Sequence, residues 1–574
     1  MASNREREPL LSSVNSNIGY VIENNLNSQR VRIQTLHLGM LPGILILFLV
    51  LLERIGYYSL DSNLYLFLST KFFWEHDNAL SAIYIFSGTS YISSLFGGWL
   101  SDAYLGRFKT IGLAFILFTV PYWGLYYISG VSMESIKPDD LRTDPDASAP
   151  WFSEQYSEYL TPILIVAAIG TGTIKANIAP FGVEQMQRYG VHFLKLYLNW
   201  LYWCVNIGAF VAILGITYVQ QIWEFQYGYV IAASSLVVAT FLFWVAYPIH
   251  FHQPVSESPI SRTFKVMKTA WRLSKNNNSN NSNLEVINRP SWLDMAKVRY
   301  GGKYHESVVE DVKSLKAILI VFIILIPYWL LYFQMQSTFQ AQGLRMRLSL
   351  DPNNLNPEFE IPAAWLMLFN VIFLLMFIPL MNQVIYPFLS ARGIEISIFT
   401  KIPIGMACAV MAMIIAGGVE WYRVQCKENV LQTIGKETYN ATNVSILWQI
   451  PQYSLIGISE VFTNVGGLEF ACSQAPSTMQ GAVMGLYYFC NGIGNFLGII
   501  AVHTYQKILK DLKTEADDSG LNFSYYFWLL ALLQLIGLIT FCFLTRDLKL
   551  RRQHSLLESS TNLQNNSSRI VPVG

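Results

Sequence analysis

Gly97-Gly-Trp-Leu-Ser-Asp102-Ala-Tyr-Leu-Gly106-Arg107 is a short charged turn between two apolar runs, near 79–101 and 110–129. Its glycines permit a tight turn and a close approach of the flanking helices. A bilayer-crossing helix takes roughly 20 apolar residues, and both flanks meet that length. Working outward, about twelve such runs recur on that criterion, near 40–62, 79–101, 110–129, 160–180, 196–219, 228–248, 315–338, 364–382, 401–421, 446–466, 479–503 and 524–545. Composition agrees, with 52% hydrophobic and 13% charged residues and a mean hydropathy of +0.33; a soluble domain is roughly a quarter charged. The chain reads as an all-α membrane protein with twelve transmembrane helices. A net charge of +1 gives no indication of a nucleic-acid partner. The six cysteines lie mostly inside apolar runs without paired spacing, so neither a metal site nor a disulfide framework is indicated. With no nucleophile–base pair and no phosphate loop in view, neither an enzyme nor a bound cofactor is expected.

Lys and Arg in the loops set the expected orientation. The segment between the sixth and seventh runs carries eleven of them, from Arg262 to Lys316, the turn at 102–109 holds Arg107 and Lys109, and the C-terminal stretch holds Arg546, Lys549, Arg551 and Arg552. If the helices alternate, all of these share one face. The opposite face carries the acidic stretch 133–159 and three glycosylation sequons, at Asn440, Asn443 and Asn522. Both termini are therefore expected in the cytosol. The first 35 or so residues lack an apolar stretch, so the first span is expected to act as the insertion signal. The division that follows is a cytosolic N-tail (1–38), a six-helix bundle (39–250), a cytosolic linker (251–314) with a low-complexity tract near 276–283, a second six-helix bundle (315–546) and a cytosolic C-tail (547–574). Two six-helix bundles joined by a linker suggest the major facilitator superfamily, with a substrate held between the halves at mid-membrane. The turn at 97–107 resembles the loop signature of that superfamily, in which Asp102 would cap a helix and engage Arg107.

Ionisable residues at membrane depth are few: Glu53 and Arg54 in the first run, Lys175 in the fourth and Glu460 in the tenth. Each costs about 2.5–3.5 kcal/mol near the bilayer centre on insertion scales, so each needs a partner or an aqueous cavity. They sit inside longer blocks: Glu53-Arg54 with Tyr57-Tyr58, Gly170-Thr-Gly-Thr-Ile-Lys175 running into Phe181-Gly-Val-Glu184-Gln185, and Tyr202-Trp203-Cys-Val-Asn206-Ile-Gly208. Further blocks are Pro327-Tyr328-Trp329 through Gln334-Met335-Gln336-Ser337, Gly457-Ile-Ser-Glu460, and Gly467-Leu-Glu469-Phe470 through Gln474-Ala-Pro476. By these blocks the chain resembles the proton-dependent oligopeptide transporters (solute carrier 15), most closely their peptide/histidine branch.

The resemblance implies a zwitterion site between the halves. Arg54 and Lys175 would hold the substrate carboxylate, Arg54 with its planar fork. Glu460 would take the ammonium, helped by Asn206 and Asn370, while Tyr57, Tyr58 and Trp329 shape side-chain space. Substrates would be histidine and di- or tripeptides, moved with protons. Two family acids are replaced here by Val50 and Gln334, and a helix-2 histidine by Ile85. Proton carriage would then fall to Glu53, Glu460 or Glu469, the last of which could equally be a helix-end gate. Glu6-Arg-Glu-Pro-Leu10-Leu11 matches an acidic dileucine in which Glu6, Leu10 and Leu11 dock a sorting adaptor, in keeping with a lysosomal or late-endosomal membrane. Two other readings are open: an endolysosomal scaffold that binds a cytosolic signalling adaptor and transports weakly, and a facilitator without proton coupling.

Overall fold

The long apolar runs fold into helices whose backbone groups are satisfied internally, as lipid demands. The computed structural model describes residues 40–567 apart from 73, 131–144, 253–254, 256–257, 278–290, 351–359, 395, 427, 435–436, 476–478 and 512–521. Among the described residues, eleven helices are long and apolar enough to cross a membrane. They are α1 (Met40–Asp61), α2 (His76–Leu105), α3 (Arg107–Gly130), α4 (Glu158–Gln187), α5 (His192–Trp223), α6 (Phe225–Val245), α7 (Glu306–Gly343), α8 (Ala363–Ala391), α9 (Ile398–Gln425), α11 (Gly481–Ile508) and α12 (Ser524–Arg546). The tenth run is the helix α10 (Ile450–Gln474). It falls short on apolarity because it carries Gln452, Glu460, Asn464 and Glu469, yet its 25 residues span about 37 Å at 1.5 Å per residue. Polarity there marks a helix that faces the bundle interior.

Helices α2, α3, α4 and α6 pack on one another in the first bundle, and α8, α9, α10 and α12 in the second. The principal seam between the bundles is α2 against α11, with α5 against α8 on the other side. The alternating helices define two ends. At the linker end, a helix at Pro259–Asn277 and a 3₁₀ turn at Trp292–Ala296 pack under α7 and the start of α11 through Val266, Ala270, Val309, Val312 and Met479. Much of the basic linker is thus ordered structure, and α7 begins inside the segment assigned to it, at Glu306. Asp294 is hydrogen-bonded by Lys297 and Lys313; burial works against its charge, but those bonds hold its carboxyl below the ordinary value. At the opposite end, β1 (Met346–Arg347), β2 (Asn429–Ile434) and β3 (Glu437–Ser445) form a small sheet in the order β1-β3-β2. This is called the hairpin end.

Helix α7 is built in pieces: Glu306–Ile324, Ile326–Tyr332, a 3₁₀ turn at Phe333–Gln336 and Thr338–Gly343. Pro327, which cannot donate a backbone hydrogen bond, sits at the first break. Broken helices at membrane depth are tolerated where they are buried in protein or line a cavity.

Candidate functional site

The site starts on α1. Glu53 and Arg54 are 1% and 7% exposed and pair with each other, Arg54 Nη2 donating to Glu53 Oε1 at 2.7 Å. Thr171 on α4 donates to the same carboxylate oxygen at 2.9 Å. Gly208 on α5 makes this corner possible: a Cβ there would stand 2.7 Å from the Cβ of Arg54. Arg54 lies over the Tyr57 ring at 5.1 Å, and Lys175 lies over the same ring at 4.6 Å and over Tyr91 at 4.0 Å. Among the described residues no carboxylate lies within 4 Å of the Lys175 ammonium; it is held by ring faces alone.

Across the seam, Glu460 on α10 accepts from Asn370 Nδ2 on α8 and from Asn464 Nδ2, both at 3.2 Å. It too has no ion pair among the described residues. A ring track connects the two charges. Tyr91 packs on Tyr488 at 6.1 Å, Tyr488 on Tyr487 at 6.0 Å, and the Tyr487 hydroxyl donates to Asn464 Oδ1 at 3.1 Å. Trp329 is buried against Tyr487 and Tyr332 at 5.6 Å from each, and its indole N–H has no hydrogen-bond partner among the described residues. Tyr58 stands edge-on to Tyr57 and within electrostatic reach of both Arg54 and Glu460.

Of the residues singled out in the sequence, Glu53, Arg54, Tyr57, Tyr58 and Lys175 therefore form one cluster, and Glu460 and Asn370 a second facing it. Trp329 packs on the ring track between them, and the remaining residues are placed elsewhere. Asn206 donates to Tyr202 O of its own helix at 2.9 Å rather than to Glu460. Glu469 lies toward the linker end, 45% exposed and paired with Lys401 at 2.8 Å, the geometry of a helix-end contact. Asp102 and Arg107 approach to 3.6 Å in a turn that Gly106 closes with φ of 77°, and Arg107 also pairs with Glu184 on α4, so the three tie α2, α3 and α4 together at the linker end. Gln334 is fully buried on α7; its Oε1 accepts from Thr338 at 2.7 Å and from Tyr84 on α2 at 3.0 Å. It is part of the closure between bundles, which continues with the Ser337–Tyr84 bond at 2.8 Å, the contact of Gln340 with Ser62 O, and His76 against Arg345 at 2.7 Å. Glu6, Leu10 and Leu11 lie outside the described residues.

The structure buries ions beyond the four expected at membrane depth. Asp61 at the end of α1 is 0% exposed, and Glu420 and Arg423 on α9 form a buried pair at 2.9 Å that also receives the backbone N–H of Phe523. All three sit where an apolar run gives way to polar residues, which reads as a helix end at the membrane surface. The tyrosine track was missed for a related reason: aromatic residues on an apolar helix read as core.

A family model described as the POT family matches residues 119–517. Over 553 residues the chain is 31% identical to "Solute carrier family 15 member 3" of Rattus norvegicus, with 90% of this chain and 93% of the relative covered. The protein of the same name in Mus musculus is 30% identical, with the same coverage. "Protein NRT1/ PTR FAMILY 8.1" of Arabidopsis thaliana is 28% identical over 87% of this chain and 92% of that one. Among solved structures, the POT family transporter PepTSo shares the fold with a TM-score of 0.68 at 20% identity, covering 88% of this chain and 98% of that one. A POT family transporter in complex with 5-aminolevulinic acid has a TM-score of 0.58 at 17% identity, covering 87% and 95%. A family match across most of the chain, relatives aligned almost end to end and the shared two-bundle architecture lead to one conclusion: the chain belongs to the POT family of membrane transporters.

Proposed function

We propose that this chain is a proton-coupled symporter that moves histidine and di- or tripeptides from an endolysosomal lumen to the cytosol by alternating access. The observation that carries this is the division of charge: two cations, Arg54 and Lys175, in one bundle face one carboxylate, Glu460, in the other. Neither Lys175 nor Glu460 has an ionic partner of its own among the described residues. A zwitterion supplies both partners at once, its carboxylate to Lys175 and the outer face of Arg54, its ammonium to Glu460 and Asn370. Because Arg54 is already held by Glu53, Lys175 is the freer of the two cations. Tyr57, Tyr58 and Trp329 offer ring faces that accept many side chains. A solved relative holds 5-aminolevulinic acid, which itself bears an amine and a carboxylate.

The linker end faces the cytosol in this reading and the hairpin end the lumen. The exposed Asn440 on β3 is the sequon best placed for a glycan, since Asn443 is tied to Arg347 and Glu428 and Asn522 caps α12 through Ser524. Glycosidase treatment should therefore shift the wild type on a gel and leave Asn440→Gln nearly unshifted. An unglycosylated wild type, with all three sequons intact, would place the hairpin end in the cytosol. Transport itself is tested by uptake of histidine and a dipeptide into proteoliposomes, with and without a pH gradient that is acidic on the donor side. Saturable, gradient-stimulated uptake is expected. Uptake indifferent to the gradient would leave a facilitator, and no saturable uptake under either condition would favour the scaffold reading, in which the packed linker binds a signalling adaptor.

A further inference from the structure

Asp61 ends α1 inside the first bundle with no access to solvent. Its Oδ1 accepts from the Ser87 hydroxyl on α2 at 3.1 Å and from the Tyr57 hydroxyl at 3.3 Å, while its Oδ2 has no hydrogen-bond partner among the described residues. Among the described residues no cation lies within 4 Å of it. The charged and titratable groups around it come from four helices: Arg54, Tyr57 and Tyr58 on α1, Tyr91 on α2, Tyr122 on α3 and Lys175 on α4. From α7 the neutral Gln336 completes the shell, its Oε1 3.4 Å from the same Ser87 hydroxyl.

A serine hydroxyl has one hydrogen to give. Ser87 can therefore make one full hydrogen bond, to Asp61 in its own bundle or to Gln336 in the other, and sharing the hydrogen weakens both. We propose that Asp61 binds the coupled proton, and that its protonation decides whether Ser87 bonds within its bundle or across the seam to Gln336. This rests on the proton-coupled reading above and adds the group that does the coupling.

An ionised carboxylate holds the Ser87 hydrogen, because hydrogen bonds to a charged acceptor are roughly twice as strong as neutral ones. The seam then lacks the Ser87–Gln336 bond. When Oδ2 takes a proton from water entering at the open hairpin end, that advantage is lost and Ser87 turns to Gln336. The new bond lies beside the Tyr84–Gln334, Ser337–Tyr84 and Gln340–Ser62 contacts and adds to the same closure. Neutralising Asp61 also removes a negative charge from the surroundings of Lys175, leaving the ammonium to the substrate carboxylate. One proton thus favours both substrate capture and closure of the hairpin end. Once the substrate leaves at the linker end, the proton passes from Oδ2 to water there, Ser87 returns to Asp61, and the hairpin end is free to open.

The test uses Asp61→Asn, a neutral isostere, and Asp61→Glu, which still titrates. Nitroxides at Trp223 and Leu431, both exposed at the hairpin end, would report the distance across it in a background whose native cysteines are replaced. In the parent protein the distance distribution should contract as pH is lowered from mildly alkaline into the acidic range. Asp61→Asn should show the parent's low-pH distribution, with its minor open population, at every pH, and Asp61→Glu should respond with a shifted midpoint. In proteoliposomes Asp61→Asn should keep histidine exchange but lose accumulation, for which one coupled proton supports about tenfold per pH unit. An Asp61→Asn variant that still responds to pH like the parent overturns the proposal. So does a folded variant that loses exchange together with accumulation. Absence of uptake by the parent counts against the transport reading instead, and the distance measurement decides on Asp61 by itself.

Discussion

The Glu460→Gln variant is expected to reach the membrane in normal amount and to lose at least about thirtyfold in dipeptide uptake, since stranding one member of a buried charge pair costs about 2–5 kcal/mol and each 1.4 kcal/mol is a factor of ten. The fold should tolerate the change. Glu460 is held by two neutral amides, Asn370 and Asn464, and a glutamine fits the same space with its amide turned to suit them. What the variant loses is the charge of the second bundle that, among the described residues, is placed to meet a substrate ammonium across the tyrosine track. A specificity ratio separates this from a general defect. Parent protein should discriminate strongly against an N-acetylated dipeptide, because that ligand leaves Glu460 buried and unpaired. In Glu460→Gln the penalty has no source, so the ratio of free to acetylated peptide should fall toward unity. Normal uptake of free dipeptide by the variant would remove Glu460 from the site, and an unchanged ratio would remove it from ammonium recognition.

Where the sequence was informative, it was so because lipid leaves few solutions. An apolar run of membrane length must be a helix, and each of the expected runs is one, including the polar α10, which turns Gln452, Glu460 and Asn464 inward and carries Glu469 at its linker end. The charged positions 53, 54, 175 and 460 were visible because charge at membrane depth is conspicuous in an apolar run. Residues whose meaning depends on depth were not. Asp61, Glu420 and Arg423 stand next to polar neighbours, and only the packing of α1 and α9 against the rest of each bundle shows them to be enclosed. Periodicity likewise does not reveal that α7 is broken into pieces, because Ile326–Tyr332 and Thr338–Gly343 are separated by a turn that is as buried as they are. Glu469 admits two readings in the sequence, a proton carrier or a helix-end gate, and its partner Lys401, from a different helix, is visible only once α9 and α10 are packed together at the linker end.

The pair at the base of the site should respond asymmetrically to truncation. Glu53→Ala leaves the Arg54 guanidinium buried with its positive charge, which it cannot shed because arginine stays protonated in proteins. Breaking a buried pair in this way costs about 3–5 kcal/mol. The Tyr57 face at 5.1 Å returns only part of that, since a cation over an aromatic ring is worth about 0.5–2 kcal/mol. The loss is compounded by Lys175 over the same ring, because the Glu53 charge then no longer offsets two neighbouring cations. Arg54→Ala strands the carboxylate instead, and that group has two reliefs: it keeps the Thr171 hydroxyl at 2.9 Å, and it can take a proton. Thermal unfolding in detergent should therefore rank Glu53→Ala as the more damaging of the two single variants. The double variant should be less damaging than the two single costs added together, by an interaction of about 0.5–3 kcal/mol as expected for residues in contact. If Arg54→Ala proves the worse single change, the guanidinium contributes more through its packing against Gly208 and Tyr57 than through its charge, and the electrostatic account of this corner fails. If the two costs simply add, Glu53 and Arg54 are not energetically a pair in spite of their contact, and the cation left to meet a substrate carboxylate would be Arg54 as much as Lys175.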